Sequence, residues 1–443
     1  MTDISEKNIC REAEGLLRFI KSSPTAFHAV RTIKSMLDEN GFTQLFEEKE
    51  WSPVPGGKYY VIRNCSSIIA VSVGSCLQNP SFQITASHSD SPSFKVKENA
   101  VLEVRGKYSR LNTEGYGGMI CSTWLDRPLS LAGRAVVRNG SRFESRLFNI
   151  DRDLLLIPNV AIHMNRSVNE GTSFNKQTDM LPLISSSVLS EKDYRKLIAD
   201  ELGVLPEQLC GSDTFLYCRS VPAVWGTDHE FLSAPRLDDL QCAFSSLLGF
   251  LNGKNENNIN VYACLDNEEV GSGTRQGAAS TFLPDVLGRI SQAICRGPEG
   301  YCRAASSGFM LSCDNAHAVH PNHPEKTDES NCVYLNDGIV LKSHAGQKYT
   351  SDAVGIAAFR EICRRSDAPV QSFANRSDAA GGSTLGNIAM AQISMCCVDI
   401  GLPQLAMHSA YETAGVKDTG FMIRALSEFY SSHFEISEES FSI

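Results

Sequence analysis

The distribution of apolar residues divides this 443-residue chain into three stretches, and this division most constrains the fold. Residues 1–92 and 229–443 alternate strand-like and helix-like patterns, whereas residues 93–228 contain mainly short β-type segments separated by turns. An alternation of strands and helices favours an α/β domain whose helices pack on a sheet. We therefore predict one α/β domain formed by the first and last stretches, with a mainly β domain inserted at 93–228.

Several segments have patterns clear enough to assign to an element. Residues 26–40 place apolar side chains at helical spacing and should form an amphipathic helix that ends near Asn40-Gly41. A second helix should begin near Asp238-Asp239. The polar segment 165–179 should be a surface loop, and LLLIPNVAIHM just before it is β-like. Strands are predicted from the runs YYVIRN, SIIAVSVG, FQITASHSD, NINVYACLDNEE, GFMLSCDNAH and AQISMCCVDIG.

Charge and cysteine content exclude several classes of protein. The net charge of −10 argues against a surface for nucleic acid or for an anionic membrane. The N-terminal segment lacks the apolar stretch of a signal peptide, and the chain has no apolar run long enough to span a membrane. The 15 cysteines are scattered without a C-x-x-C pair, which indicates reduced thiols. We therefore expect a cytoplasmic enzyme or binding protein.

Side chains of the metal-ligand type follow the ends of several apolar runs. In α/β sheets, ligands bind at the carboxyl ends of the strands, so these side chains could converge on one site. Imidazole and carboxylate ligands without thiolates suit zinc, manganese or cobalt. The residues are His88, Asp90, Glu268, Glu269, Asp314 and His317, together with Asp238 at a helix start and His408 in LAMHSAYE.

Each of these residues also has an ordinary structural explanation. A single histidine at a strand end is commonly a hydrogen-bonded structural residue, and Asp238 could stabilise a helix N-terminus. The adjacent Glu268 and Glu269 could be a solvated edge, but at the end of a buried strand their charges must be balanced by water or by a cation. Other motifs are weaker: GSGTRQG departs from the dinucleotide fingerprint by one residue, and neither a G-x-S-x-G elbow nor a P-loop occurs.

At these residues the chain resembles the aspartyl aminopeptidase family, the M18 metallopeptidases. The resemblance implies a zinc-peptidase-like α/β catalytic domain with an inserted, mainly β dimerisation domain. The matching segments occur in order along nearly the whole chain: SPTAFHAV, ASHSDSPSFKVK, STWLDRPLSLAGR, IPNVAIHMNR, PRLDDL, DNEEVGS, DNAHAVHPNH, GGSTLG and QLAMHS.

The resemblance also implies a pair of divalent metal ions in each subunit. Zinc is the expected metal, and manganese or cobalt are alternatives. His88 and Asp314 would hold one ion, while Glu269 and His408 would hold the other. Asp238 would bridge both ions.

Catalytic and substrate-contacting residues follow from the same resemblance. Glu268 would be the general base, and Asp90 would orient the imidazole of His88. Because adjacent side chains of a strand point to opposite faces, the backbone should leave strand geometry at the two glutamates. Substrate contacts would come from His317, Lys342 and Tyr349, and from His163 of a neighbouring subunit.

The implied activity is the removal of the N-terminal residue from peptides with a free N-terminus, with a preference for Asp or Glu read by Lys342. The implied assembly is a homo-oligomer, a dodecamer built from dimers. Two alternatives stay open at this point. One is a related co-catalytic metallohydrolase, namely a neutral-residue aminopeptidase, a carboxypeptidase or an N-deacylase; the other is a non-catalytic assembled scaffold.

Overall fold

The computed structural model describes residues 2–254, 256–294, 297–437 and 439–443. Within them, a nine-stranded mixed sheet, a six-stranded antiparallel sheet, a five-stranded sheet and a two-stranded hairpin can be distinguished. No helix in these ranges combines the length and the apolar character that crossing a membrane requires. Every cysteine whose side chain is described is a free thiol.

The α-helices of the described residues lie mostly outside the region predicted as an insertion. In chain order they are α1 (Thr2–Lys21), α2 (Ala26–Glu39), α3 (Glu191–Leu202), α4 (Leu237–Asn252), α5 (Phe282–Ile294), α6 (Gly297–Ser306), α7 (Ala353–Arg365), α8 (Leu385–Ala389) and α9 (Asp418–Ser431).

In chain order, the first ten strands end by residue 218 and form the first group, and the later strands of the described residues form the second. The first group is β1 (Thr43–Gln44), β2 (Lys58–Arg63), β3 (Ser67–Val73), β4 (Phe82–His88), β5 (Ser93–Val104), β6 (Tyr108–Tyr116), β7 (Leu129–Asn139), β8 (Arg142–Asn149), β9 (Leu183–Ser185) and β10 (Leu209–Cys218). The second is β11 (Ala223–Trp225), β12 (Phe231–Ala234), β13 (Ile259–Leu265), β14 (Phe309–Cys313), β15 (Ala316–His317), β16 (Ile339–Ser343), β17 (Val370–Ala374), β18 (Cys396–Gly401), β19 (Pro403–Leu405), β20 (Glu412–Gly415), β21 (Glu435–Ile436) and β22 (Phe441–Ser442).

The predicted α/β fold is confirmed. The central sheet has the order β1-β2-β3-β13-β4-β14-β18-β16-β17, so it takes strands from both ends of the chain. Alternating residues of its strands pack on α1, α2, α4, α7 and α9 on one face and on α5, α6 and α8 on the other. The structure contains the two predicted helices, at 26–40 and near Asp238, as α2 and α4. The six predicted strand runs are present as β2, β3, β4, β13, β14 and β18.

The six-stranded sheet uses only strands between residues 93 and 218, in the order β8-β7-β10-β5-β6-β9. Its apolar residues form a core of their own, which includes Phe94, Trp124 and Leu131. This separate core is the physical reason why the β-type stretch can interrupt the α/β pattern without disturbing the central sheet.

One strand prediction in this region is wrong in part. In LLLIPNVAIHM, the first part forms only isolated bridges at Leu155, Leu156 and Ile157, and residues 162–164 form a turn. Pro158 cannot donate to a strand ladder, and the apolar residues that follow it are not covered by the described part of the chain. The side chains of Val160, Ile162 and Met164 are accordingly exposed.

Candidate metal centre

Three adjacent parallel strands bring the predicted ligands to one edge of the central sheet. Strand β4 pairs in parallel with β13 on one side and with β14 on the other. His88 is the last residue of β4 and lies opposite Leu265 at the end of β13. Glu268 and Glu269 follow β13, and Asp314 follows β14, so the carboxyl ends of the three strands deliver all of these side chains to the same place.

Asp238 lies between two histidines. Its Oδ1 is 3.4 Å from His88 Nε2, and its Oδ2 is 3.3 Å from His408 Nε2. On the first side, Asp314 Oδ1 is 3.9 Å from His88 Nε2. On the second side, Glu269 Oε1 is 3.4 Å from His408 Nε2. These residues therefore form two groups of ligand atoms, each within 4.8 Å, that share Asp238.

Three carboxylate oxygens in these groups lack a hydrogen-bond donor, one each on Asp238, Asp239 and Glu269. Asp238 Oδ1 and Glu269 Oε1 are buried and accept no hydrogen bond from the described residues. A buried acceptor left without a partner costs about 1–3 kcal/mol, and more if it is charged. Because these oxygens face imidazole nitrogens rather than a guanidinium or an ammonium, the arrangement fits divalent cations held by nitrogen and oxygen.

Both imidazoles are oriented by a backbone carbonyl on the opposite ring nitrogen. His88 Nδ1 lies 3.1 Å from the carbonyl oxygen of Asp90, and His408 Nδ1 lies 2.9 Å from that of Gly118. Since a carbonyl can only accept, each Nδ1 carries the proton and donates it. Nε2 is therefore the ring nitrogen that would bind a cation, in place of a proton.

The side chain of Asp90 contacts the segment that carries the two glutamates. Its Oδ1 accepts the backbone N–H of Glu268 at 3.1 Å, and its Oδ2 accepts that of Glu269 at 3.2 Å. The Tyr116 hydroxyl donates to Asp90 Oδ2 at 2.6 Å. The carboxylate is also 3.4 Å from His88 Nδ1. Asp90 therefore approaches His88 most closely through its carbonyl and uses its side chain mainly on the glutamates.

The backbone leaves strand geometry at the glutamates, as predicted. Glu268–Val270 form a 3₁₀ turn, preceded by Asn267 at φ 65°. This turn brings Glu268 and Glu269 to the same side, where both can form a group of ligand atoms with His88. The position of Glu269 also requires a glycine in the inserted region, because a Cβ at Gly117 (φ +75°) would lie 3.1 Å from Glu269 Cβ.

The electrostatics of the cluster favour added positive charge. Burial raises the pKa of Glu268 to about 8, and the carboxylates of Asp314 and Asp90 add to this shift against the effect of His88. Burial alone would lower the pKa of His408, but Asp238 and Glu269 raise it to about 10. The carboxylates thus attract protons, and a cation would stabilise them in the same way.

Lys342 and Tyr349 lie beside Asp314. The Lys342 ammonium is 2% exposed and donates to the carbonyls of Asp314 and Asn315 at 2.8 and 3.2 Å. Its Nζ is 3.6 Å from Asp314 Oδ2 and 5.3 Å from the centre of the buried Tyr349 ring. Lys342 is therefore a buried charge next to a candidate ligand, and it is not a surface charge at the end of strand β16.

An open pocket of about 500 Å³ lies next to the cluster. His317, which is exposed, is on its wall with Phe373, Asn375 and Met407, the residue before His408. His163 belongs to none of the groups of ligand atoms and is exposed in the turn 162–164. Within the single chain, the structure thus gathers every predicted site residue except His163.

Several residues of the site were not predicted from the sequence. Asp239 is buried, accepts the backbone N–H of His88 at 3.1 Å and belongs to a group of ligand atoms with His88. Tyr116 and Gly118 come from the inserted region, and Glu412 lies four residues after His408. Only Asp239 had a signal in the sequence, its position beside Asp238. The others follow no ligand-like pattern.

Comparisons with known proteins found a matching family and several similar chains. The profile of the family described as Aminopeptidase I zinc metalloprotease (M18) matches residues 19–430. A Clostridium acetobutylicum protein named Probable M18 family aminopeptidase 2 is 46% identical over 431 residues, which cover 96% of this chain and all of the relative. The similar protein of Pseudomonas aeruginosa strain UCBPP-PA14, which has the same name, is 39% identical and covers 95% of this chain and 98% of its own length.

Solved structures are similar over almost the whole chain. A chain in the cryo-EM structure of the Ape4 and Nbr1 complex has a TM-score of 0.92 and 34% identity, covering 96% of this chain and 86% of its own. A chain of the S. cerevisiae mApe1 dodecamer has a TM-score of 0.84 and 26% identity, covering 96% and 97% respectively. An M18 aminopeptidase of Thermotoga maritima, at 21% identity and a TM-score of 0.84, has the same fold.

Proposed function

Because the chain belongs to the M18 family of zinc metalloaminopeptidases, we propose that it uses two divalent metal ions in each subunit to remove N-terminal Asp or Glu residues from peptides. The observation that carries the two-metal part of this proposal is the position of Asp238. Its two carboxylate oxygens face two different imidazoles, those of His88 and His408, at 3.4 and 3.3 Å. A carboxylate with one oxygen on each side suits a bridging ligand.

In this proposal, His88 and Asp314 would hold one ion, Glu269 and His408 would hold the other, and Asp238 would contribute to both sites. Zinc is the expected metal because the family is described as zinc-dependent, and the nitrogen and oxygen donors would also accept manganese or cobalt. When bound, the ions polarise the peptide carbonyl and make the attacking water more acidic.

Glu268 is proposed as the general base. It accepts the proton that the attacking water loses and returns this proton to the leaving amine. Its pKa of about 8 without cations means that nearby positive charge is needed to keep it ionised at neutral pH. Asp90 supports this role because it holds the backbone of Glu268 through a hydrogen bond of 3.1 Å.

The proposed preference for acidic residues rests on Lys342. A carboxylate that enters a dry pocket needs a fixed cation or several donors to replace its hydration. The Lys342 ammonium is buried, and two carbonyl oxygens hold it with two of its three donors. The third donor is left for Asp314 Oδ2, which lies 3.6 Å away, or for a substrate carboxylate. Tyr349 and His317 are proposed to contact the substrate from the same side.

We propose that residues 93–228 form a dimerisation domain which brings His163 to the active site of a neighbouring subunit. Three exposed apolar side chains surround His163 in sequence: Val160 is 55% exposed, Ile162 48% and Met164 77%. Apolar exposure of this kind is typical of an interface. The mApe1 relative is a dodecamer, and a dodecamer built from dimers is the proposed assembly of this chain.

The proposed function is tested by a scan of dipeptides on one metal-analysed sample. We expect two metal ions per subunit and faster hydrolysis of Asp-Ala and Glu-Ala than of Leu-Ala. The acetylated dipeptides should not be cleaved, because an aminopeptidase requires the free ammonium. Faster cleavage of Leu-Ala would favour a neutral-residue aminopeptidase, and cleavage of the acetylated dipeptides would favour a carboxypeptidase or an N-deacylase. A protein without bound metal and without activity would be a scaffold.

A further inference from the structure

Glu412 is a buried carboxylate at the metal centre that has no part in the roles above. It is 1% exposed and begins strand β20. Its Oε2 accepts the backbone N–H of Asp238 at 3.1 Å, and its Oε1 accepts that of His408 at 2.7 Å. One side chain therefore joins the backbones of two residues of the cluster that are 170 positions apart in sequence.

Regular secondary structure does not hold either of these two backbones. Asp238 lies at the start of α4 with non-helical angles, φ −81° and ψ 110°. His408 has a left-handed backbone, with φ 66°, which is uncommon for a residue with a Cβ. A residue in such a conformation persists only where its surroundings stabilise it. The hydrogen bond that Glu412 Oε1 accepts from the N–H of His408 contributes to that stabilisation, and the bond that Oε2 accepts holds the N–H of Asp238.

The position of Glu412 is itself determined by a sheet. Strand β20 pairs antiparallel with β12, and Glu412 lies opposite Ala234, four residues before Asp238. On its other side β20 pairs with β19, which ends three residues before His408. The carboxylate is therefore fixed between the two chain segments that it joins.

We infer that Glu412 is a positioning residue of the metal centre: it sets the separation of Asp238 and His408 and so determines the affinity for metal. This inference rests on the proposed function, in which these two residues bind the same ion. Replacement of the carboxylate should lower metal affinity while leaving every ligand in place. Partners that orient metal ligands typically contribute about 10- to 100-fold in affinity.

The test compares Glu412→Gln with a matched control, Asp418→Asn. Asp418 is also a fully buried carboxylate, and it accepts the backbone N–H groups of Asn336 and Gly338 at 2.7 and 3.0 Å, neither of which belongs to the cluster. Zinc dissociation constants are measured for the metal-free proteins in competition with a chelator, together with thermal unfolding. A second variant, Glu412→Asp, keeps the charge but is too short to reach both N–H groups.

We expect both Glu412 variants to bind zinc about 10- to 100-fold more weakly than the wild type, and Asp418→Asn to bind it normally despite a similar loss of thermal stability. Equal zinc affinity in wild type and Glu412 variants would overturn the inference. So would an equal loss in Asp418→Asn, or a failure of both Glu412 variants to fold while the control folds. A wild type that binds no zinc, manganese or cobalt would instead reject the proposed function.

Discussion

The carboxylate of Asp90 accepts the backbone N–H of Glu268 at 3.1 Å, across 178 residues of sequence. The same carboxylate accepts the N–H of Glu269, so it holds the whole turn in which the two glutamates lie. The direction of the proposed general base therefore depends on a residue that follows another strand, β4. This relationship extends the role of Asp90 beyond the imidazole of His88.

Asp90→Asn should lower kcat about 10- to 100-fold with a smaller effect on bound metal, because the amide replaces one acceptor of the turn with a donor. Steady-state kinetics and metal analysis of the same sample check this. Tyr116→Phe is the matched variant, since it removes only the hydroxyl that donates to Asp90 at 2.6 Å. It should cost about 1 kcal/mol in transition-state stabilisation. If Asp90→Asn has the same kcat as the wild type, the turn keeps its conformation without the carboxylate.

Glu268→Gln should retain the metal ions but lose about 10²–10⁴-fold in turnover, the usual contribution of a general base. Asp238→Ala should instead lose metal, because Asp238 belongs to two of the three groups of ligand atoms, those of Asp314 and of His408. Turnover numbers and metal content per subunit distinguish the two outcomes. Loss of metal from Glu268→Gln with unchanged activity per bound ion would mean that the roles of the glutamates are assigned wrongly.

His163→Ala and Glu268→Gln subunits should each be inactive alone but regain activity when mixed. In a mixed dimer, the Glu268→Gln subunit would supply its His163 to the active site of the other subunit. The measurement is activity after dissociation and reassembly, with mass spectrometry to confirm mixed dimers. If verified mixed dimers stay inactive, the active site is complete within one chain.

Lys342→Met should reduce kcat/KM for Asp and Glu substrates about 10- to 150-fold more than for Leu or Ala substrates, which corresponds to about 1.5–3 kcal/mol for a charge-assisted hydrogen bond. Lys348→Met is the control, because Lys348 also donates to two carbonyls, those of Ala380 and Gly381, at 2.6 and 3.0 Å. Equal losses on acidic and neutral substrates would show that Lys342 does not read the substrate side chain. A change of preference in Lys348→Met alone would assign that role to Lys348.

We expect the protein to become less stable in mild acid because of His28. Burial, together with the positive Arg31 and Arg236, lowers the pKa of His28 from 6.5 to about 3 in the folded chain. Between these values the unfolded chain binds a proton that the folded chain does not, so the free energy of unfolding falls as the pH falls. The contribution is about 2 kcal/mol between pH 6.5 and pH 5.

Urea unfolding of the wild type, His28→Gln and His320→Gln at pH 7 and pH 5 measures this effect. His28→Gln should lose about 2 kcal/mol less than the wild type over this interval, because it has no imidazole to titrate. His320 is exposed, and its variant should follow the wild type. An identical pH dependence in all three proteins would remove His28 as a cause.

The structure confirms those predicted helices and strands whose apolar residues follow a clear pattern in the sequence. Every residue of strands β4, β13 and β14 is buried, as expected of parallel strands in a sheet that is covered on both faces. Because parallel strands end at the same edge, the placement of His88, Glu268 and Asp314 could be predicted without coordinates. The prediction for LLLIPNVAIHM was wrong in part because its last apolar residues, Val160, Ile162 and Met164, are exposed in the single chain.

The α/β order, the strand ends and the types of side chain that gather there could be predicted from the amino-acid sequence, since they depend on local periodicity and on sheet geometry. Which backbones those side chains hold became visible only in the folded chain. Glu412 reaches Asp238 and His408, and Asp90 reaches Glu268, through contacts between segments far apart in the chain. No local pattern encodes such contacts, because a buried carboxylate binds whichever N–H groups the packing of two sheets brings to it.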